Sequence, residues 1–405
     1  MERNGLVVVG ASLAGLRAVE AARKSGHEGP ITLVGAENHL PYDRPPLSKQ
    51  FLEGTDVTET VFRQEAYLRD ELGVDVRLGE PATGLDCAEG VIRVGDGEIP
   101  YTGLVVATGA DARTLPGTEG LRGVHTLRTL DDARSVRDAL REGARTVVVG
   151  AGFIGSEVAS SAKKHGVDVT IVEAAPVPLT RSVGPRMGGL LGELHRAEGV
   201  DLRLGVGVEQ IKGNERVESV ILTDGAELAA DLVVVGIGAS PSTRWLEGSS
   251  VELDERDRGV LCDATLAAAP GVYAAGDVCH WVSELFDGRL RLEHWTSAAE
   301  QGALAARNAL DPANAKPYDT VPYFWSDWYD SRIQFVGESA ADDVVIVDEA
   351  QWENGKLLAL YRRGDRVIGA LTVNRPALIM KMRRMIAKGA DWHEAFAFAE
   401  EKTAA

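Results

Sequence analysis

Thr146-Val147-Val148-Val149-Gly150-Ala151-Gly152-Phe153-Ile154-Gly155 is the stretch of this 405-residue chain that decides the fold. Its opening run is wholly β-branched and does not alternate with polar residues, as expected of a parallel strand covered on both faces. Glycines follow at Gly150, Gly152 and Gly155, and a helical pattern continues through Val158 and Ala162. The next apolar run, Val169-Thr170-Ile171-Val172, ends in Glu173. A glycine turn that opens a helix is an anion site, because the first helical N–H groups point outward and no side chain blocks them. Glu173 follows Gly150 by 23 positions, near the roughly 20 expected for a carboxylate that accepts from a dinucleotide's ribose hydroxyls. A carboxylate there repels an added ribose phosphate, and Ala174 and Ala175 stand where an arginine would be wanted. NAD is therefore expected over NADP.

The same grammar occurs earlier. Gly5-Leu6-Val7-Val8-Val9-Gly10 runs into Ala11-Ser12-Leu13-Ala14-Gly15, then a helical pattern with Ala18, Val19 and Ala22, then Ile31-Thr32-Leu33-Val34. Ser12 replaces the middle glycine, so phosphate would be approached past a small hydroxyl that can itself donate. Glu37 is the acid of this copy. Two such folds in one chain imply two dinucleotides. One nicotinamide does not need both, whereas a bound flavin plus a diffusing nicotinamide does. Three further strands end at glycine-bearing turns: Gly103-Leu104-Val105-Val106-Ala107-Thr108-Gly109, Asp231-Leu232-Val233-Val234-Val235-Gly236-Ile237-Gly238 and Gly271-Val272-Tyr273-Ala274-Ala275-Gly276-Asp277. In open α/β sheets ligands sit at such strand ends.

From residue 316 the composition changes. Residues 316–330 hold Tyr318, Tyr323, Phe324, Trp325, Trp328 and Tyr329, alternating strands follow, and a helix is expected after Pro376. The predicted fold class is α/β: two Rossmann-like dinucleotide-binding domains plus a C-terminal α+β domain.

Composition excludes other classes. A net charge of −18 argues against nucleic-acid binding. No apolar run reaches the ~18 residues of a membrane span, and the N-terminus has no signal-peptide pattern, so the cytoplasm is the expected location. Cys87, Cys262 and Cys279 are far apart and form no Cys-x-x-Cys or His/Cys cluster, so no metal site is expected.

These residues resemble a known family. The spacing is similar to that of flavoprotein pyridine-nucleotide oxidoreductases of glutathione-reductase topology. Within them it is similar to the NADH-dependent ferredoxin reductases of bacterial oxygenase systems: the putidaredoxin, rubredoxin and biphenyl dioxygenase ferredoxin reductase group, with apoptosis-inducing factor as a cousin. The resemblance rests on Pro41-Tyr42-Asp43-Arg44-Pro45-Pro46-Leu47-Ser48-Lys49, Ala107-Thr108-Gly109, Leu127-Arg128-Thr129, the Gly150 turn through Glu157, Ala275-Gly276-Asp277, Glu293-His294-Trp295 and Pro322-Tyr323-Phe324-Trp325-Ser326-Asp327. They occur in family order over nearly the whole chain, and Arg-Pro-Pro-Leu-Ser-Lys is the most specific.

The resemblance implies FAD and NAD(H) as cofactors, with boundaries of 1–110 and 240–315 for a discontinuous FAD-binding domain, 111–239 for an NAD-binding domain and 316–405 for the C-terminal domain. It assigns FAD contacts to Gly10, Ser12, Leu13, Ala14, Gly15, Glu37, Arg44, Lys49, Ala82, Ala107, Thr108, Gly109, Arg128, Gly276, Asp277, Glu293, His294, Trp295 and Trp325. It assigns NAD contacts to Gly150, Gly152, Phe153, Ile154, Gly155, Glu157, Glu173, Arg181 and Gly238. Lys49 would stand at the isoalloxazine, and Glu157, expected in the first turn of its helix, would face the nicotinamide and pair with Lys49. Two departures stand out: Ala36 replaces the family's usual acid, leaving Glu37, and Trp328 stands where a glutamine is common.

The implied reaction takes hydride from NADH and passes electrons singly to a 2Fe–2S ferredoxin, with rubredoxin as a variant, feeding a cytochrome P450 or Rieske oxygenase. Residues 39–49 contain no cysteine, which argues against disulfide, peroxide and mercuric chemistry. Residues 374–388 carry Arg375, Lys381, Arg383, Arg384 and Lys388 with no acid. Lys381, Arg384 and Lys388 share a helical face, which either helps dock an acidic ferredoxin or is simply solvated. Two rivals have distinct signatures. An NADH oxidase or quinone reductase would turn over faster with oxygen or quinone than with any ferredoxin. A redox-controlled interaction protein like apoptosis-inducing factor would show a long-lived flavin–NAD complex and redox-dependent dimerisation.

Overall fold

The β-branched runs become central parallel strands, because such side chains pack well on a pleated surface buried on both faces. In the computed structural model, which describes residues 5–54 and 60–403, the chain gathers into two compact units. The first comprises residues 1–43, 58–111 and 240–322; the second comprises 44–57, 112–239 and 323–405.

In the first unit, Gly5–Val9 lies between Ile31–Gly35 and Gly97–Val106, all parallel. Val74–Leu78 and Val272–Ala274 extend this sheet on either side, also in parallel. Every residue of Gly5–Val9 is buried. The chain leaves it through a glycine turn into helix Leu13–Lys24, which buries Leu13, Leu16, Val19 and Ala22. Helix Trp295–Leu310 packs on that helix so closely that a Cβ at Gly302 would stand 2.1 Å from the Ala14 carbonyl oxygen.

In the second unit, Arg145–Val149 lies between Asp168–Glu173 and Leu232–Val235, with Asp201–Leu204 and Val124–Thr126 outermost, all parallel. Its C-terminal part is an antiparallel sheet in the order Tyr323–Trp328, Ser331–Gly337, Arg366–Val373, Leu357–Arg363, Asp343–Ile346. Where the sequence predicts one helix after Pro376, the chain makes two, Pro376–Ala387 and Trp392–Thr403. Gly389 explains the break: its φ of +67° turns the backbone out of the helix. One core joins the two parts of this unit. Val183, Met187 and Leu191 of helix Thr180–Ala197 pack with Trp328, Phe335, Tyr361 and Leu371, and the Tyr361 hydroxyl donates to the Val183 carbonyl at 2.6 Å. Among the described residues no helix is long and apolar enough to cross a membrane.

Candidate active site

The two glycine turns are built alike. Gly10 donates its N–H to Val34 O at 2.7 Å, and Gly150 donates to Val172 O at 2.7 Å. Their φ angles are +120° and +102°. A Cβ at Gly10 would lie 2.0 Å from Ala107 O, and one at Gly150 2.4 Å from Gly236 O. A Cβ at Gly15 would lie 1.8 Å from Gly10 O, and one at Gly155 2.1 Å from Gly150 O. Only glycine lets the helix close this tightly on its strand. The middle positions differ. A Cβ at Gly152 would meet nothing nearer than Gly236 O at 4.0 Å, so the space before helix Phe153–Lys164 is open. Ser12 occupies the matching place in the first unit, and its side chain does not cap helix Leu13–Lys24. Both cradles therefore fit a pyrophosphate set against first-turn N–H groups.

Each cradle has its acid. Glu173 accepts from the N–H groups of Ala151 and Ala175, both at 2.8 Å, which fixes the carboxylate beside the glycine turn. Glu37 accepts from the Tyr42 hydroxyl at 2.6 Å, which holds it at the strand end where Ala36 has no carboxylate to offer.

The rest of the first unit's expected residues line adjoining turns. The Thr108 hydroxyl donates to Ser242 O at 2.8 Å, and Gly109 O accepts from Ser242 N at 3.0 Å. Gly276 takes a φ of +79° and donates to Gln301 Oε1 at 2.9 Å. Asp277 O accepts from Arg291, which also pairs with Glu293, each at 2.9 Å. Ala82 opens a half-buried strand end. Helix Trp295–Leu310 starts at the tryptophan itself, with His294 as an N-cap that supplies no side-chain cap. Burial holds the His294 imidazole down at about 4, against a smaller upward pull from Asp277. The Trp295 indole donates to Asp43 at 2.8 Å. Ser297 Oγ and Gln301 Nε2 are buried without a hydrogen-bond partner among the described residues. Orphaned polar atoms near an uncapped helix start suit the polar edge of a bound ring.

In the second unit Glu157 is a buried carboxylate, 3% exposed. It begins the second turn of helix Phe153–Lys164, not the first as its spacing suggested, since the helix starts at Phe153. Lys49 Nζ lies 2.8 Å from Glu157 Oε1. Ser48 Oγ donates to Glu157 Oε2, and Ser326 Oγ donates to Oε1 at 2.5 Å. A buried carboxylate without partners is costly, and this one has a cation and two hydroxyls. The Arg-Pro-Pro-Leu-Ser-Lys string makes a short 3-10 turn, Pro45–Ser48, that presents Ser48 and Lys49 together. Arg44 donates to Arg128 O at 2.5 Å. Arg128 is set by a capping box in which Thr129 and Asp132 satisfy each other's N–H groups.

Other expected NAD residues are spread along this unit. Ile154 is 45% exposed at the helix start, whereas Phe153 packs on Phe324 with ring centroids 4.8 Å apart. Arg181 is exposed in the first turn of Thr180–Ala197, and Gly238, with φ +101°, stands in open space. Trp325 stacks on Tyr323 at 5.9 Å. Ser48, Ser156, Ser326 and His195 join the hydrogen-bond network of this unit without belonging to the residues expected from the sequence. For His195 a signal exists: it follows buried Met187 and Leu191 at helical spacing, the mark of an inward-facing histidine.

The pyridine nucleotide-disulphide oxidoreductase pattern matches residues 4–302, and a reductase C-terminal pattern matches residues 323–403. The chain belongs to the pyridine nucleotide-disulphide oxidoreductase family. Among its family relatives, the chain is 35% identical over 396 residues to the anthranilate 1,2-dioxygenase system ferredoxin–NAD(+) reductase component of Burkholderia cepacia, covering 96% of each chain. It is 32% identical over 392 residues to putidaredoxin reductase of Pseudomonas putida, covering 95% of this chain and 92% of that one. It superimposes on the reductase of the covalent putidaredoxin reductase–putidaredoxin complex with a TM-score of 0.90 and 30% identity, covering 96% of this chain and 94% of that one. The family name notwithstanding, no cysteine lies in residues 39–49. Against the expectation that the cysteines lie far apart, the fold brings the Cys262 and Cys279 sulfurs to 3.6 Å, but both are buried and burial pushes the Cys279 thiol well up.

Proposed function

We propose that this chain is a cytoplasmic FAD-dependent oxidoreductase that takes hydride from NADH and delivers single electrons to a 2Fe–2S ferredoxin serving a cytochrome P450 or Rieske oxygenase. The observation that carries this reading is the pair of glycine-turn cradles in one chain, one of them set beside the buried Lys49–Glu157 pair. Full-length relatives named as ferredoxin–NAD(+) reductase components support the choice of acceptor. FAD, when bound, supplies the switch from two-electron to one-electron chemistry. The chain's own residues do the holding and orienting. Gly10, Ser12, Leu13, Ala14 and Gly15 take the FAD pyrophosphate, and Glu37, braced by Tyr42, takes its adenosine ribose. Ala82, Ala107, Thr108, Gly109, Gly276, Asp277, Glu293, His294 and Trp295 keep the FAD contacts that the resemblance assigns, as do Arg44, Lys49, Arg128 and Trp325. Gly150, Gly152, Phe153, Ile154 and Gly155 take NADH, Glu173 selects it over NADPH, and Arg181 and Gly238 flank it. Glu157 stands at the nicotinamide, its charge balanced by Lys49. In functional terms residues 1–110 with 240–315, 111–239 and 316–405 serve as FAD, NAD and C-terminal domains.

Anaerobic titration of the yellow protein with NADH tests this. One equivalent should bleach the flavin absorbance, and oxidised 2Fe–2S ferredoxin should restore it in one-electron steps. Reoxidation by oxygen or quinone that outpaces every ferredoxin overturns the choice of acceptor.

A further inference from the structure

Glu157 receives several partners, and one of them is itself held from behind. The Ser326 hydroxyl that donates to Glu157 accepts the indole N–H of Trp328 at 2.7 Å. The Trp328 ring, 1% exposed, stacks on His195 with centroids 4.9 Å apart and planes at 25°. His195, also 1% exposed, uses both ring nitrogens: Nε2 meets Ser156 Oγ at 3.0 Å and Nδ1 meets the Tyr329 hydroxyl at 2.7 Å. Tyr329 has a φ of +53°, in the left-handed region that a bulky residue rarely takes. The demand comes from the two-residue turn between Trp328 and its cross-strand partner Ser331. Its N–H donates to Ser160 Oγ at 2.6 Å. A strained residue persists where its surroundings over-determine it. Here helices Phe153–Lys164 and Thr180–Ala197 fix the tyrosine's hydroxyl, its N–H and the neighbouring indole.

We propose that His195 is a positioning residue for Glu157: by clamping the Trp328–Tyr329 turn onto the glycine-turn helix it sets the Ser326 hydroxyl against the carboxylate. The inference rests on the reading that Glu157 stands at the nicotinamide. His195 reaches Glu157 by two routes, through adjacent Ser156 on the same helix and through Trp328 and Ser326 on the facing strand. Core filling alone does not ask for a histidine here. An apolar ring would fill the space beside Met187 and Leu191 but leave the Ser156 and Tyr329 hydroxyls without this partner. Burial, with a smaller push from Arg196, holds the imidazole down at about 4, so near neutral pH it is uncharged and offers one donor and one acceptor.

The test is single-turnover reduction of the holoenzyme by NADH. His195→Gln and Trp328→Phe should each slow hydride transfer about tenfold, with the apparent NADH Kd changed by less than about twofold. In a Glu157→Gln background the same substitutions should add nothing, as expected when one residue acts through another. A second readout is independent of turnover. The Trp328 indole N–H resonance, identified by its loss in Trp328→Phe, should shift in both His195→Gln and Ser326→Ala. Equal slowing in both backgrounds, or an unmoved Trp328 resonance in His195→Gln, overturns the positioning role and leaves that of Glu157 standing. Undiminished hydride transfer in Glu157→Gln itself overturns the underlying reading, and this inference with it. Should His195→Gln fail to fold, Trp328→Phe keeps an aromatic ring against His195 while losing the N–H and the indole's second ring, and Ser326→Ala, which removes the hydroxyl itself, carries the same cycle.

Discussion

At the scale of single residues, buried polar groups carry the consequences that are easiest to measure. His195 binds its proton more weakly when folded, at about 4, than an unperturbed histidine does at roughly 6.5. The unfolded chain therefore holds the extra proton between these values, and stability rises with pH across the window. The contribution is whole above pH 6.5 and is lost as pH falls toward 4, amounting to about 3 kcal/mol over the window. Denaturant unfolding at a series of pH values should show this loss, and His195→Gln should flatten the slope by close to one proton. An unchanged slope would mean the imidazole is already charged in the folded protein. His294, held at about 4 by its own burial, should leave a second proton's worth of slope in that variant.

At the scale of elements, helix and strand identities follow from local sequence patterns, and one of the tightest contacts between helices is set by a glycine. Helices Leu13–Lys24 and Trp295–Leu310 touch where Gly302 faces the Ala14 carbonyl, with 2.1 Å left for a Cβ. Gly302→Ala must push the helices apart, and overpacking of this kind costs roughly 1–3 kcal/mol. Since Ala14 belongs to the first glycine-turn helix, the thermal midpoint should drop and FAD should be retained less well. Gly26→Ala is the control: a Cβ there meets nothing within 4 Å, although its φ of +88° still strains the backbone. It should lower the midpoint without loosening FAD, and equal FAD loss in both variants would disconnect the helix contact from the cradle. The same scale explains what was legible in the sequence. Gly10, Gly15, Gly150 and Gly155 announce themselves because turn, strand and helix are neighbours in sequence. Glu157 finds Ser48 109 positions away and Ser326 169 positions away. His195 meets Ser156 and Tyr329 at separations of 39 and 134. No local pattern encodes such meetings. The Lys49–Glu157 pair follows from family resemblance alone, and Ser48 and Ser326, which complete it, lie within the same motifs without any local feature that aims them at Glu157.

At the scale of the whole molecule, the governing fact is a net charge of −18 beside one strongly basic segment. Lys381 and Arg384 are exposed on helix Pro376–Ala387, Lys388 is exposed at its C-cap, and Arg375 is half-buried at its N-cap. An acidic ferredoxin is repelled by the chain's overall charge and attracted by this face, so the face would decide orientation more than affinity. Charge reversal by Lys381→Glu with Arg384→Glu should lower kcat/KM for ferredoxin about tenfold at low ionic strength. The difference should shrink near 0.15 M salt, where the screening length falls to about 8 Å. Lys381 also lies 5.8 Å over the Phe398 ring, a contact worth under about 1 kcal/mol at an exposed site, so the thermal midpoint should barely move. Reduction of a small uncharged quinone by NADH should be unaffected, because neither residue belongs to the cofactor cradles. Ferredoxin reduction that is unchanged at low salt would make the basic face a solvated helix surface and move the docking site elsewhere on the molecule.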